Sequence, residues 1–172
     1  MDLAVALDTA LSGSAIPRES NGKGGESGMI IVRDFALRDL DAVVELMRDL
    51  GYPTSNAQMR KRMEAISSDP AYATLVAELD GEAAGMAGLR LLYSYEYDDP
   101  VVQISALVTK STHRGKGVGK ALIHHAEIWA RDRGAAALVL TSGNRPERET
   151  AHQFYQRMGF AVTGYRFSKK LW

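Results

Sequence analysis

The sequence contains no cysteine. That excludes disulfides, a thiol nucleophile and any zinc site built on thiolates. A reducing compartment fits, and a cytoplasmic location is expected. The chain also lacks an excess of either charge: 21 basic and 21 acidic side chains leave a formal net charge of zero. Bulk nucleic-acid binding normally shows as a basic excess, and so does a polybasic membrane anchor, so neither nucleic acid nor membrane is an expected partner. No stretch approaches the ~20 apolar residues of a membrane-spanning helix. The four histidines, His113, His124, His125 and His152, fall in no metal-binding spacing such as HExxH. No metal is expected, and structural roles suit them better. What is present is a 45% apolar fraction in 172 residues, enough for one domain with a real core.

Residues 1–28 stand apart, with five glycines and four serines. Such a composition does not bury a core, and a flexible appendage without assigned function is expected there. The opening "MDLAVALDTAL" reads at most as a short amphipathic helix. It has no basic leading segment, and Asp8 interrupts its apolar run, so it is not expected to act as a signal peptide. The folded unit is expected over 29–172.

Along that unit the apolar period alternates between two and 3.6. "MIIVRDF" (29–35) reads as a strand. Leu40, Val43, Val44, Met47 and Leu50 then mark one helix face, closed by Gly51. Ser55 with Gln58 forms a capping-box pattern for a second helix ending near Ser67. "YATLVAEL" and "EAAGMAGLRLLYSY" are strands joined at Asp80-Gly81, a strong hairpin signal. "VVQISALVT" is a further strand. A helix from Gly117 to about Arg133 turns Val118, Leu122, Ala126 and Trp129 inward. "AAALVLTS" reads as a buried strand. "PERETAHQFYQRM" is a helix with Pro146 in its first turn and Gly159 past its end. "FAVTGY" and "RFSKKLW" read as closing strands. The order βααβββαβαββ describes an α/β (α+β) domain, a sheet of about seven strands flanked by four helices.

One loop carries the chemistry. "STHRGKGVGKAL" (111–122) has glycines at 115, 117 and 119, basic residues at 114, 116 and 120, and a helix pattern behind it. A Walker A loop aligned on Gly119-Lys120 would put Arg114 at its first glycine and Ala121 at its metal-binding hydroxyl. A dinucleotide fingerprint would put Lys120 at its third glycine, and it belongs after the first strand. Neither fits. What remains is a strand ending at Thr109, a glycine-rich turn whose amides approach an anion closely, a helix N-terminus, and Arg114 with Lys116 to neutralise a pyrophosphate.

Arg114, Gly117 and Gly119 fit Arg-x-x-Gly-x-Gly. Further on, Asn144, Ala151, Phe154, Tyr155, Gly159 and Phe160 fit an asparagine followed by Ala-x-x-Phe-Tyr-x-x-x-Gly-Phe. Together these resemble the GNAT N-acetyltransferase superfamily, over residues 29–172. "LDGEAAGMAGL", "TAHQFYQRMGF" and "YRFSKKL" carry a looser likeness to aminoalkylphosphonate N-acetyltransferases. The resemblance implies a mixed, mostly antiparallel GNAT-like sheet splayed between its fourth and fifth strands. It implies acetyl transfer from acetyl-CoA to an amine. It implies a pyrophosphate loop formed by Arg114, Gly115, Lys116, Gly117, Val118, Gly119 and Lys120. Main-chain groups of Leu107, Val108 and Thr109 would align the thioester, one amide there stabilising the oxyanion. Asn144 would touch the coenzyme and Phe154 would pack. Tyr155 would act as general acid, a phenol near pKa ~10 donating to a thiolate whose thiol lies near ~8.5.

The general base departs from the family pattern. Many relatives carry a glutamate on the strand before the loop, where this chain has Gln103, Ile104, Ser105 and Ala106. Either water removes the amine proton or a carboxylate comes from elsewhere, Glu96 first and Glu78 second. In "YSYEYDDP", Tyr93, Tyr95 and Tyr97 alternate with Ser94, Glu96 and Asp98, which suits a small cationic amine. An aminophosphonate would instead need a spare cation, Arg90 or the Arg60-Lys61-Arg62 cluster. The alternative to an enzyme is a non-catalytic acyl-CoA-binding sensor of the same fold. A homodimer, with C-terminal strands paired across chains, is the expected assembly if there is one.

Overall fold

A computed structural model describes residues 28–171 together with a two-residue strand at 15–16. The helix expected over the opening eleven residues lies outside the described residues. Six paired strands cross one sheet in chain order: β1 (Ala15–Ile16), β2 (Ile30–Asp34), β3 (Tyr72–Leu79), β4 (Glu82–Leu92), β5 (Val101–Thr109) and β6 (Ala137–Leu140). All neighbours are antiparallel except β5 and β6. A parallel pair needs a crossover, and α3 (Val118–Arg131) supplies it. The remaining helices are α1 (Leu40–Leu50), α2 (Asn56–Ser67) and α4 (Glu149–Arg157). β1 falls within the expected N-terminal appendage and pairs with the outer edge of β2.

Several local signals act as their chemistry dictates. Ser55 Oγ accepts from the Gln58 amide, and the Gln58 side chain reaches back to the Ser55 amide, closing the capping box of α2. Asp80 and Gly81 both have positive φ, 54° and 83°, which a two-residue hairpin of primed type requires. Each helix buries its apolar stripe on one face of the sheet. Val118, Leu122 and Ala126 of α3 pack with Ile30, Leu75 and Leu89. Val43 and Leu46 of α1 and Met59 and Met63 of α2 pack with Met86 and Val108 on the opposite face.

Three sequence expectations fail. The sheet does not reach seven strands: beyond α4 no strand forms up to residue 171, and Val162, Tyr165 and Phe167 stand 88%, 94% and 92% exposed. Their alternation has no second layer to face, so the pattern alone does not make a strand. In consequence β6, expected to be buried, is an edge strand that alternates exposed and half-buried residues. Finally, β4 stops at Leu92 rather than running through Tyr95. Ser94 Oγ accepts from the amides of Glu96 and Tyr97, both at 3.2 Å, and closes a turn there instead.

The register of β4 on β5 shifts once. Gly88 pairs with Ala106 and Leu89 with Ile104, so Ser105 is an extra residue, a β-bulge. Before it, Val102 and Ile104 join the core under α3. After it, Ala106 and Val108 join the core under α1 and α2. Pairing of β5 with β6 covers only Val101 to Ile104 and ends at the same point, while β5 continues to Thr109. The two strands part there.

A partly buried ion cluster fixes the entry to α1. The Arg33 guanidinium spans Asp39, at 2.7 and 2.8 Å, and Glu78, and the Ala36 amide donates to Asp39 at 2.8 Å. Burial alone would raise the Asp39 carboxyl. The Arg33 and Ala36 hydrogen bonds, with the Arg33 and Arg38 charges, outweigh it and hold Asp39 below the usual carboxylate range. A depressed folded value means a stabilisation complete above the ordinary aspartate range near ~3.9 and lost as pH falls below it. Asp39→Asn is expected to cost about 1–3 kcal/mol at neutral pH. Urea unfolding across pH should show that gap closing in acid.

Candidate active site

Between β5 and α3 the chain makes a short helical turn at Ser111–His113, and Arg114 is extended. Gly117 then caps α3 with φ of 88°, a left-handed conformation that side-chain-bearing residues resist. No side chain caps this helix, and its first inward bond runs from the Ala121 amide to the Gly117 carbonyl at 3.0 Å. The amides of Val118, Gly119 and Lys120 are thus left to point out of the helix end. Free amides at a helix N-terminus, with the dipole behind them, form an anion site. Arg114, Lys116 and Lys120 are exposed and make no ion pair among the described residues. Lys110 by contrast is committed to Glu82, with Glu45 at 3.7 Å.

Gly119 serves a different need. A Cβ there would lie 3.2 Å from Phe154 Cζ and 3.6 Å from Thr109 Oγ1. The end of β5, the start of α3 and the middle of α4 therefore meet at one point. Phe154 packs into the core beside α3. Tyr155, the next residue, is half-buried, edge-on to Phe154 with ring centroids 5.6 Å apart and to Phe160 at 6.0 Å. Burial pushes its phenol above the ordinary value, and the Arg148 charge offsets part of that. Arg148 also donates to the Leu50 carbonyl at 3.4 Å, tying α4 to the end of α1, and Asp49 accepts from the Ser111 amide at 2.8 Å. His152 sits 3.1 Å from both Ser142 Oγ and the Gly143 carbonyl, holding α4 to the loop after β6. Asn144 is exposed in that loop and caps no helix.

Among the described residues no strand lies beside the edge of β5 from Ser105 to Thr109 on the β6 side. Leu107, Val108 and Thr109 remain bonded to β4 on the other side, so their positions are firm. On the α1–α2 face, a cavity of about 150 Å3 reaches Ser105 and Ala106. Among the described residues no carboxylate lines it. Glu96 lies exposed in the loop between β4 and β5, at the far end of β5 from Thr109, and does not line the cavity. Glu78 is spent on Arg33. Ser105 donates from Oγ to the Gly88 carbonyl at 3.1 Å. Among the described residues no group of three or more histidines and carboxylates could hold a metal, and no helix is long and apolar enough to cross a membrane.

Sequence reading missed three parts of this site: the bulge at Ser105, the Arg148 tie, and the cavity. Only the cavity left a signal. Met59, Arg62, Met63 and Ile66 recur at helical spacing and all line it.

Residues 40–160 match the Acetyltransferase (GNAT) family. The aminoalkylphosphonate N-acetyltransferase of Salmonella typhimurium is 30% identical over 141 residues, 81% of this chain and 90% of that one. A GNAT family acetyltransferase of Staphylococcus aureus superposes with a TM-score of 0.71 at 29% identity, covering 83% of this chain and 98% of that one. An aminoglycoside N-acetyltransferase solved in complex with CoA superposes with a TM-score of 0.73, covering 84% and 96%. At 23% identity that last likeness is one of fold. The class these findings define is that of the acyltransferases. The chain belongs to the GNAT acetyltransferase family.

The meeting of Gly119 with Phe154 can be tested directly. Gly119→Leu is expected to displace Phe154 and cost about 1–3 kcal/mol by overpacking. Urea unfolding gives the cost, and near-ultraviolet dichroism should report the disturbed Phe154 and Tyr155 rings.

Proposed function

We propose that the protein moves the acetyl group of acetyl-CoA to the primary amine of a small molecule, by direct attack in a ternary complex with Tyr155 as general acid. The observation that carries this reading is the convergence of Thr109, Gly119 and Phe154, which sets the part of α4 that carries Tyr155 against the end of β5 and the start of α3. The coenzyme supplies an activated thioester. In this reading Arg114, Gly115, Lys116, Gly117, Val118, Gly119 and Lys120 hold its pyrophosphate, by charge and by amide donation. The open edge at Leu107, Val108 and Thr109 pairs with the extended arm, and an amide there faces the carbonyl oxygen as charge develops on it. Asn144 and Phe154 flank the same path.

Tyr155 has a raised pKa, so it is fully protonated at neutral pH. Its hydroxyl has no hydrogen-bond partner among the described residues, which leaves it available to a leaving sulfur. The proton passes as the carbon–sulfur bond breaks, and the phenolate regains one from solvent. In this reading amine deprotonation falls to water, since none of the described residues lining the cavity is a carboxylate. The cationic acceptor suggested by Tyr93, Tyr95, Tyr97 and Glu96 draws no support from their position, because all four are exposed on a loop outside the cavity.

Two variants separate binding from chemistry. Arg114→Ala is expected to weaken coenzyme A binding about 10- to 100-fold by calorimetry, the worth of a charge-assisted contact. An unchanged Kd would remove the loop from the pyrophosphate site. Tyr155→Phe is expected to lower kcat about 100-fold while leaving acetyl-CoA affinity nearly unchanged. The wild-type rate should fall as pH rises through the phenol pKa, since only the protonated form donates. Thiol release screened over polyamines, aminoglycosides, aminophosphonates, amino acids and peptide N-termini tests the whole reading. Silence on all of them, with coenzyme A binding intact, would leave the non-catalytic sensor.

A further inference from the structure

The cavity between α1, α2 and the sheet reaches the bulge at Ser105 and Ala106, where β5 leaves β6. Its walls are apolar and soft, with four methionine side chains, Met47, Met59, Met63 and Met86. Thioethers adapt to the shape of an alkyl chain better than branched side chains do. Among the described residues lining it, Arg62 of α2 is the one that carries a charge. Arg62 makes no ion pair and no hydrogen bond among the described residues, so its guanidinium is available to a ligand. A second guanidinium stands close by: Arg90 lies 5.3 Å over the ring of Tyr72, which lines the same cavity. None of the described residues lining the space is acidic.

A cation entering this cavity would find no counter-charge, and a second ammonium would face Arg62. An oxyanion would find a free planar fork that matches carboxylate and phosphonate geometry in two parallel hydrogen bonds. The volume, about 150 Å3, lies below the ~300–1,000 Å3 of pockets for drug-sized ligands. A short chain fits and an oligosaccharide does not. From these features we infer that the acceptor is a short alkylamine carrying an oxyanion at its far end, with Arg62 the residue that selects it. The amine sits at the Ser105 end, the methylene chain lies along the methionines, and the oxyanion pairs with Arg62. This rests on the acetyl-transfer reading only in taking the cavity as the acceptor site.

The test is steady-state kinetics on four acceptors of similar length: aminoethylphosphonate, beta-alanine, propylamine and diaminopropane. Wild type is expected to prefer the first two over propylamine about 10- to 100-fold in kcat/KM, mainly through KM, with diaminopropane lowest. The two favoured compounds, compared with each other, tell phosphonate from carboxylate. Arg62→Gln should abolish the preference by lowering only the oxyanion acceptors. Arg62→Lys should restore part of it, and Arg62→Glu should favour diaminopropane. Arg62 is exposed, so these variants are expected to fold, which a thermal melt checks.

Calorimetric titration of each acceptor into the coenzyme A complex separates this inference from the transfer reading. Arg62-dependent binding of the oxyanion amines without turnover supports the selectivity and removes the transfer reading. Turnover indifferent to Arg62, or a preference for diaminopropane in wild type, overturns the selectivity and leaves transfer standing. Failure of both oxyanion amines to bind overturns it as well.

Discussion

One extra residue in β5 governs the site. Without the bulge at Ser105, the even-numbered residues Val102, Ile104, Ala106 and Val108 would all face one side of the sheet, because side chains alternate with period two. The bulge divides them: the first pair packs under α3 and the second under α1 and α2. Both cores are filled by one strand for that reason. A bulge also bends its strand and sharpens the local twist, and pairing with β6 stops at Ile104, the residue before it. The open edge of β5 is therefore tied to core packing. A change that straightened β5 to close the edge would expose the apolar residues that stabilise the fold.

The second constraint is that two glycines two residues apart are glycines for different reasons. Gly117 supplies a left-handed turn into α3, and a side chain there would strain the backbone. Gly119 has helical backbone, but the space a side chain would take belongs to Phe154. The first makes the helix begin abruptly with its amides unsatisfied. The second lets α4 approach that same helix end and carries Tyr155 with it. Burial that secures the ring also raises the phenol pKa, so packing and protonation state share one cause.

Most elements were legible because local chemistry and tertiary packing agree in them. The Ser55 capping box, the Asp80-Gly81 turn and the strand at 72–79 formed where their residues call for them. The start of α3 behind the loop at 114–120 was legible because its glycines and the apolar spacing after them mark a turn into a helix. Illegible were the features that depend on what lies across from a segment. "VVQISALVT" reads as a uniform apolar strand, and nothing within it marks Ser105 as the extra residue; only the register against β4 does. The alternation at Val162, Tyr165 and Phe167 is that of a strand, yet no layer covers it. In "YSYEYDDP" the Ser94 hydroxyl captures two amides and makes a turn of what period two reads as a strand.

The same distinction decides which charges select an acceptor. Glu96 and its neighbours looked persuasive as a group, but on an exposed loop each carboxylate is hydrated and screened. A charge at that position contributes little beyond the ~0–1 kcal/mol of surface pairs. Arg62 belongs to a basic triplet that resembles an ordinary solvated helix face, and Arg60 and Lys61 do face water. Arg62 is exposed as well, but helical spacing also sets it among Met59, Met63 and Ile66 as a lining residue of the cavity. Its guanidinium is available at the cavity itself, where the carboxylates of the loop are not. Placement relative to apolar surface, more than the number of like charges in a row, is what makes an ionic group selective.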